Sequence, residues 1–311
     1  MKKKLCTFLF LLSTGIICSY GQMKHPLDTE LSKTQRLYQE NKVKLIKKYW
    51  FDCVYDIVSD SNIVSSSGVL MNEEHLDEKG QTTLFKSFIM IDPKREPGQT
   101  SFKRKEKPYL AVSFQSKYER DANGLLHKWM VLDADSNIKI RRLIEHDPEG
   151  RLIKYTEYDG EQNIVKIMEV REQSNEKLMT IEYDDKGQIL LQTLLVYASS
   201  DKCFTYSLFG PKGELKTLTL YYLNEQGLIR EQVFFDYIKY QKMITENAYN
   251  ENGYLIESKT RAYQTDSGET LYQTVKQVFV CSENGLVLEE ALFSPIENKL
   301  YVVRYSYEYY E

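Results

Sequence analysis

A short turn motif recurs along the chain and constrains its fold more than any other feature. In seven of eight copies the motif opens with Asp, Asn or Ser, and in all eight it closes three residues later with glycine. These copies end at Gly80, Gly124, Gly150, Gly187, Gly213, Gly227, Gly253 and Gly285. Glycine readily adopts the positive φ that closes a type I turn into a hairpin. The repeated Asp-x-x-Gly turn therefore predicts a succession of β-hairpins.

The segments between these turns have the composition of β-strands. They are rich in Tyr, Val, Ile, Leu and Thr, and apolar and polar residues alternate, as in residues 151–158 (RLIKYTEY). Such a pattern is typical of half-buried strands. We therefore predict an all-β fold, an elongated antiparallel β-meander or repeat array built from hairpins.

The spacing of the turns indicates how the strands follow one another. Gly124, Asn137, Gly150 and Asn163 lie thirteen residues apart, which is one strand plus one turn. We expect the two asparagines to replace glycine in their turns, because asparagine tolerates positive φ better than most residues. Later glycines are 26 residues apart, which predicts further turns near residues 198–201 and 237–240. The expected sheet is open or partly wrapped, so its terminal strands need capping.

The first residues indicate the destination of the chain. Residues 1–21 read as a signal peptide, with lysines at positions 2–4, an apolar run over 5–18, and small residues at Ser19 and Gly21. The run is shorter than the about 20 residues that span a bilayer, so we expect cleavage before Gln22 and no transmembrane span afterwards. The prediction is export to the periplasm, the cell surface or the medium.

The net charge argues against one class of partner. The formal charge is −4 and becomes −7 when the three lysines of the signal segment are removed. An acidic chain lacks the cationic surface that dominates nucleic-acid affinity, so we predict no nucleic-acid partner.

Two segments differ from the repeats, which occupy residues 41–311. Residues 22–40 are polar, and Asp28 or Thr29 can cap a short helix, so we predict a tether or short helix there. Residues 92–108 contain three prolines and six Lys or Arg residues. We predict a solvated basic loop, with a contact site for an anionic glycan or lipid as the alternative.

Metal and phosphate sites find little support in the sequence. The spacing Asp133-x-Asp135-x-Asn137 begins like a calcium loop, but Ile138 stands at the sixth position and Ile144 at the twelfth, where such loops carry Gly and Glu. Residues 210–213 fall on the turn register and are too short for a phosphate loop. The histidines lack zinc-site spacing; they are His25, His75, His127 and His146. We predict no cofactor and no metal.

Covalent and acid–base catalysis cannot be assigned to particular residues either. After signal cleavage three separated cysteines remain, Cys53, Cys203 and Cys281, which is no disulfide framework. Glycoside hydrolysis needs two converging carboxylates, and the sequence offers many without selecting a pair. We therefore name no catalytic and no ligand-binding residue.

Aromatic residues are frequent, and two interpretations apply. The chain has 24 Tyr and two Trp, which can stack on sugar rings or pair across strands. We favour the structural role. Residues 303–309 alternate as in the last strand of an outer-membrane barrel, but charges on both strand faces and the final Glu311 argue against that fold.

Some of the turn units carry a resemblance to a known family. The segments 158–165 (YDGEQNIV), 183–190 (YDDKGQIL) and 249–256 (YNENGYLI) resemble the YD repeats of Rhs-type bacterial surface and toxin proteins, above all small exported YD-repeat proteins of the Bacteroidetes. The resemblance covers about residues 41–311 and rests on the turn. It implies a β-repeat surface that binds carbohydrate. The chain departs from long Rhs proteins because it has too few strands for a shell and ends in a repeat strand.

Three functions follow as hypotheses. The first is a non-catalytic envelope or secreted protein that presents a sheet surface to a glycan or a protein partner. The second is a glycan hydrolase, which predicts two carboxylates within about 5 to 10 Å of each other. The third is an immunity or antitoxin-like partner of a secreted toxin.

Overall fold

The structure is a computed structural model that describes residues 26–56, 61–64, 68–91, 109–198, 202–294 and 299–311. These residues form one helix, α1 (Pro26–Glu40), and 19 strands. The strands are β1 (Val43–Asp56), β2 (Ser61–Val64), β3 (Val69–Leu76), β4 (Thr82–Ile91), β5 (Tyr109–Arg120), β6 (Leu126–Asp133), β7 (Ile138–His146), β8 (Leu152–Asp159), β9 (Ile164–Gln173), β10 (Lys177–Tyr183), β11 (Ile189–Ala198), β12 (Cys203–Phe209), β13 (Leu215–Leu223), β14 (Ile229–Asp236), β15 (Gln241–Tyr249), β16 (Leu255–Gln264), β17 (Thr270–Cys281), β18 (Val287–Ser294) and β19 (Lys299–Tyr309).

The hairpin turns have the predicted local chemistry. The eight motif glycines have φ between 70° and 85°. In the turn after β5, the Asp121 carboxylate accepts hydrogen bonds from the backbone N–H groups of Asn123 (2.9 Å) and Leu125 (2.8 Å). This side chain thereby satisfies two backbone donors that the turn leaves without a strand partner. From β3 to β19 each strand pairs antiparallel with the next, which confirms the all-β hairpin meander.

The asparagines at positions 137 and 163 do not adopt positive φ, so their predicted role is wrong. Ser136 (φ 66°) and Gln162 (φ 71°) take the left-handed conformation instead. The reason is that the Asp that opens each turn fixes the left-handed position three residues later. Asn137 follows it, and its backbone N–H donates to the Asp133 carboxylate at 2.9 Å. The left-handed positions, 124, 136, 150 and 162, are therefore not evenly spaced.

The meander closes on itself, so the predicted open array is wrong. One edge of β1 pairs with β19, where Tyr49 lies opposite Arg304, and its other edge pairs with β3, where Ile46 lies opposite Glu74. β1 and β3 to β19 thus form a ring of 18 strands in which every strand has two neighbours. β2 stands outside the ring and pairs with the last four residues of β1. Closure removes the exposed edges that an open sheet would have to cap.

The ring has an inner and an outer face, distinguished by burial. Side chains alternate along each strand, and paired residues share a face. The face that carries Ile144, Tyr155 and Leu195 is the more buried, as expected for the concave side, on which side chains converge. Three apolar clusters line it, and the largest contains Leu178, Leu195, Phe204, Tyr221 and Ile229. The apolar core therefore lies along the inner wall in separate clusters.

The outer face carries ion pairs, most of them between strands, with apolar side chains such as Met130, Leu143 and Val302 between them. These pairs are Lys47–Glu308, Lys86–Glu73, Lys128–Glu119, Lys154–Glu145, Arg171–Glu169, Arg261–Glu246, Lys276–Glu257 and Arg304–Glu289. The arc from β10 to β14 differs, because uncharged side chains such as Leu194, Leu220 and Val233 dominate its outer face.

The two ends of the ring differ, and we call them the helix end and the loop end. The helix end carries α1 and the turns at 77–80, 121–124, 147–150, 224–227, 250–253 and 282–285, and the loop end carries those at 184–187 and 210–213. At the helix end, neighbouring turns pack on one another: a Cβ on Gly150 would lie 3.4 Å from Leu125, and one on Gly253 would lie 3.3 Å from Leu228. α1 packs on Gly80 in the same way. A Cβ there would lie 2.3 Å from the Gln35 carbonyl oxygen.

Candidate functional site

A group of ionisable and aromatic side chains on the inner face is the best-defined polar site in the described part of the chain. We call it the inner ionic cluster; its members are Trp129, Arg142, Tyr155, Glu157, Lys166 and Glu182. Strand register builds it, because Trp129, Arg142, Glu157 and Lys166 lie opposite one another in a row across β6, β7, β8 and β9.

Arg142 is the centre of this cluster. Its guanidinium lies over the rings of Trp129 (4.6 Å to the centroid) and Tyr155 (4.9 Å), and its Nε donates to the Glu157 carboxylate. The Arg142 and Glu157 side chains are only 17% and 11% exposed. A charged hydrogen bond shielded from water in this way is stronger than an exposed ion pair.

The second half of the cluster gathers around Glu182 of β10. The Tyr155 hydroxyl donates to Glu182 Oε1 at 2.6 Å, and Lys166 Nζ lies 3.2 Å from Oε2. Burial, and next the Glu182 charge, raise the pKa of Tyr155, so the phenol remains a hydrogen-bond donor. Two cations and two carboxylates thus leave the cluster with no net formal charge.

The cluster is better suited to binding than to acid–base chemistry. A glycosidase needs one carboxylic acid that donates a proton and a second carboxylate free to act on the sugar or on water. Here Glu157 accepts a hydrogen bond from Arg142, and Glu182 accepts one from Tyr155 and forms an ion pair with Lys166. Within the described ranges, no group of three or more His, Cys, Asp or Glu side chains could hold a metal ion.

A second stretch of the inner wall, from β13 to β17, carries hydroxyl and amide side chains among apolar ones. Its inward side chains include Thr219, Gln232, Thr245, Ser258, Thr260, Gln273 and Gln277. The hydroxyls of Thr245 and Thr260 lie 2.9 Å apart. Hydroxyl and amide groups both donate and accept hydrogen bonds, which suits a neutral polar solute.

Tyrosines form a third polar group on the inner face, close to the helix end. The Tyr305 hydroxyl donates to Glu290 Oε2 at 3.0 Å, and the Gln277 side-chain amide donates to Glu290 Oε1 at 2.9 Å. The Tyr307 hydroxyl donates to the Val287 carbonyl oxygen at 2.6 Å. Burial is the main cause that raises the pKa values of Tyr305 and Tyr307.

These buried phenols predict alkaline unfolding. Because the folded-state pKa values of Tyr155, Tyr305 and Tyr307 are raised, their contribution to stability is fully present below the unfolded-state value of about 10 and is lost as pH rises above it. The urea midpoint should hold steady up to about pH 9 and then fall. In the Tyr155→Phe/Tyr305→Phe variant the fall should be shallower. A midpoint that falls as steeply with pH in this variant as in the unmodified chain would contradict this account.

The sequence-predicted turn residues lie at the two ends of the ring and not at the inner ionic cluster. Gly80, Gly124, Gly150, Gly227, Gly253 and Gly285 are at the helix end, and Gly187, Gly213, Asn137 and Asn163 are at the loop end. Asp133, which the sequence offered as part of a calcium loop, accepts hydrogen bonds from its own turn. A hydrogen bond from Lys139, and next one from the Asn137 N–H, lower its pKa to about 2. Residues 1–21 and 92–108 lie outside the described residues.

His25 and the side chain of Cys53 lie outside the described residues, and the described histidines and cysteines form no metal-binding group. His75 faces outward with Nε2 3.8 Å from Glu73, and burial lowers the pKa of His146. Cys203 is buried and Cys281 half-buried, and burial raises the pKa of the Cys281 thiol, which makes it a poor nucleophile.

Sequence reasoning missed the inner ionic cluster. The sequence did contain a pattern that indicates it. Trp129, Arg142 and Glu157 lie on three successive hairpin strands, and each is near the middle of its own strand. Their alignment depends on the one-residue bulges beside the turns, such as that between Glu145 and His146.

The chain is similar to known proteins in structure only. No family model matches the chain, and no curated protein matches it either. Among solved structures, the chain is similar to a porin-like protein from Bacteroides uniformis, with 9% identity, a TM-score of 0.48, and 86% of this chain and 97% of that one covered. It is also similar to a porin-like protein from Bacteroides vulgatus, with 10% identity, a TM-score of 0.33, and 66% and 95% covered. With both TM-scores below 0.5, the likeness carries no functional argument.

The expected membership of the YD-repeat family is wrong. No YD-repeat model matches the chain. The strand pairing gives the physical reason, because the edges of β1 are taken by β19 and β3, and the repeat units form a closed ring. The Asp-x-x-Gly turn is a general solution for a tight hairpin, so it does not identify a family on its own.

Proposed function

We propose that this chain is an exported, non-catalytic protein of the cell envelope that binds a neutral polar solute, such as an oligosaccharide, on the inner wall of its barrel. The observation that carries the proposal is the closure of 18 strands into a ring whose inner face presents hydroxyl, amide and aromatic groups. Barrels of 16 to 18 strands leave an aqueous lumen, whereas narrower ones are filled by side chains.

The inner wall offers both kinds of contact that a sugar requires. Hydroxyl and amide side chains from β13 to β17 pair with sugar hydroxyls, and aromatic rings stack on the C–H faces of a pyranose. On the inner face, the Trp50 ring lies 4.7 Å from the Tyr301 ring. The absence of net formal charge in the inner ionic cluster favours a neutral solute over an anion or a cation.

The outer wall supports an aqueous surrounding for most of the ring. Transmembrane barrels present an apolar band about 25 Å tall to lipid. Here cross-strand ion pairs occupy the outer face of most strands, including Glu246–Arg261 and Glu257–Lys276. No helix in the described ranges is long and apolar enough to cross a membrane. The signal-like residues 1–21 support export.

A ligand screen with matched variants tests the proposal. Neutral oligosaccharides are added to the mature chain, and a binding solute should raise the melting temperature, equivalent to about 2.7 kcal/mol at a hundredfold excess over Kd. The inward variants Gln232→Ala and Gln273→Ala should weaken the shift. The outward variant Gln192→Ala should preserve it.

Two outcomes would overturn the proposal. Product analysis of each hit should recover intact oligosaccharide, because Glu157 and Glu182 of the inner ionic cluster are both engaged, and cleavage would show a hydrolase. Equal loss of the shift in Gln192→Ala and Gln232→Ala would place the binding surface elsewhere.

A further inference from the structure

We infer that α1 is a built-in plug that closes the helix end of the barrel, so that solutes reach the inner wall from the loop end. The inference rests on the proposed function only in assuming that the lumen is used. The placement of α1 is independent of any solute.

The contacts of α1 place it across the mouth of the ring. The helix leads into the seam between β1 and β19, which is the position at this end that no hairpin turn covers. On one side of the seam, the Gln35 and Gln39 backbone packs on Gly80. On the other side, Lys33 Nζ donates to the Gly253 carbonyl oxygen at 2.6 Å and lies 5.4 Å from the centre of the Tyr254 ring. A helix that touches turns on both sides of the seam lies across the part of the mouth between them.

The side chains of α1 face the inner wall. Leu37 and Tyr38 pack on the cluster that contains Ile46, beside Tyr305 and Tyr307, all of which point inward. Burial, and next the charge of inward-facing Glu74, raise the pKa of the Tyr38 hydroxyl. The helix therefore enters the mouth instead of lying against the outer wall.

The plug is separable from the wall. The strands close the ring through β1–β19 pairing, in which α1 takes no part. Of the helix residues after position 32, only Leu37 and Tyr38 join an apolar cluster, and Arg36, Gln39 and Glu40 are exposed. An isolated helix of 15 residues is marginal in water, so its hold on the mouth depends on these few contacts.

Thiol labelling tests the inference without any ligand. The reporter is Gln277→Cys, an inward position toward the helix end, in a mature chain whose native cysteines are replaced by serine. A bulky maleimide is applied to this chain with the helix intact and with Lys33→Ala/Tyr38→Ala, which removes the two main anchors of the plug. The maleimide is attached to a polymer too large to travel along the lumen from the loop end, so it reaches Gln277→Cys only through the helix end. Loosening the plug should raise the labelling rate by about tenfold or more, because reaction through a closed mouth requires the helix to detach first.

Two controls separate plug removal from unfolding. Arg36→Ala/Gln39→Ala alters exposed positions of the same helix and should leave the rate unchanged. A reporter at Gln264→Cys, inward at the loop end, should react equally fast in all three backgrounds. Equal rates at Gln277→Cys with and without the anchors would overturn the inference, as would faster labelling at both reporters. Neither result depends on whether an oligosaccharide binds.

Discussion

The Arg142→Met variant is expected to lose about 3–5 kcal/mol of unfolding free energy, because the change leaves the buried Glu157 carboxylate without its cation. Methionine retains much of the volume between Trp129 and Tyr155, so the loss reports the charge and not a cavity. Urea unfolding followed by circular dichroism measures the difference.

The neighbouring residue provides the control for this prediction. Arg141 faces outward over the ring of Tyr158 at 4.6 Å, and Arg141→Met should cost less than about 1 kcal/mol. The double variant Arg142→Met/Glu157→Leu should recover most of the loss, because an apolar pair of similar volume avoids burying a lone charge. Equal losses of unfolding free energy at positions 141 and 142 would show that the two faces are equally exposed. The inner ionic cluster would then contribute no more to stability than an outer contact.

The Leu195→Ala variant is expected to lose about 2–5 kcal/mol, because it opens a cavity in the largest apolar cluster of the inner wall. Leu195 is 2% exposed and lies opposite Leu178 on one side and Tyr206 on the other. The measurement is the urea midpoint of the mature chain together with the slope of the transition.

The preceding leucine tests the assignment of faces directly. Leu194 faces outward and is only half-buried, so Leu194→Ala should cost clearly less than Leu195→Ala. If Leu194→Ala costs more, the buried face has been misassigned, and the inner and outer walls exchange roles.

The local structure could be predicted from sequence because it depends on local chemistry. Asp121 and Gly124 suffice for a hairpin turn, since one binds the backbone N–H groups and the other supplies positive φ. The same logic fails at Asn137, where the tolerance of asparagine for positive φ suggested a role that the geometry gives to Ser136.

The closure of the ring could not be predicted in this way. Alternation along β1 shows which side chains share a face, but it does not show which strand occupies each edge. The pairing of Tyr49 with Arg304 joins opposite ends of the chain, and no local pattern encodes it. Charges on both faces argued against a membrane barrel. The ring accommodates them because charged side chains pair with opposite charges on both walls.

The inner ionic cluster could not be predicted from the sequence for a related reason. Arg142 and Glu157 belong to adjacent strands, and they meet only if the bulge beside His146 shifts the register by one residue. The role of the aromatic residues could also be predicted only in part. Trp129 and Tyr155 do hold strands together, but they do so by enclosing a guanidinium on the inner wall.

The seam between β1 and β19 has a consequence for the order of folding. Its contacts are among the longest in sequence that the chain can make, so they form late and carry the highest loop-closure cost. On a chain that emerges N-terminus first, β1 is made early and keeps one unpaired edge until β19 arrives. During that interval the growing sheet offers two edges to other chains. Aggregation should therefore respond most strongly to conditions that slow the arrival of the last strand.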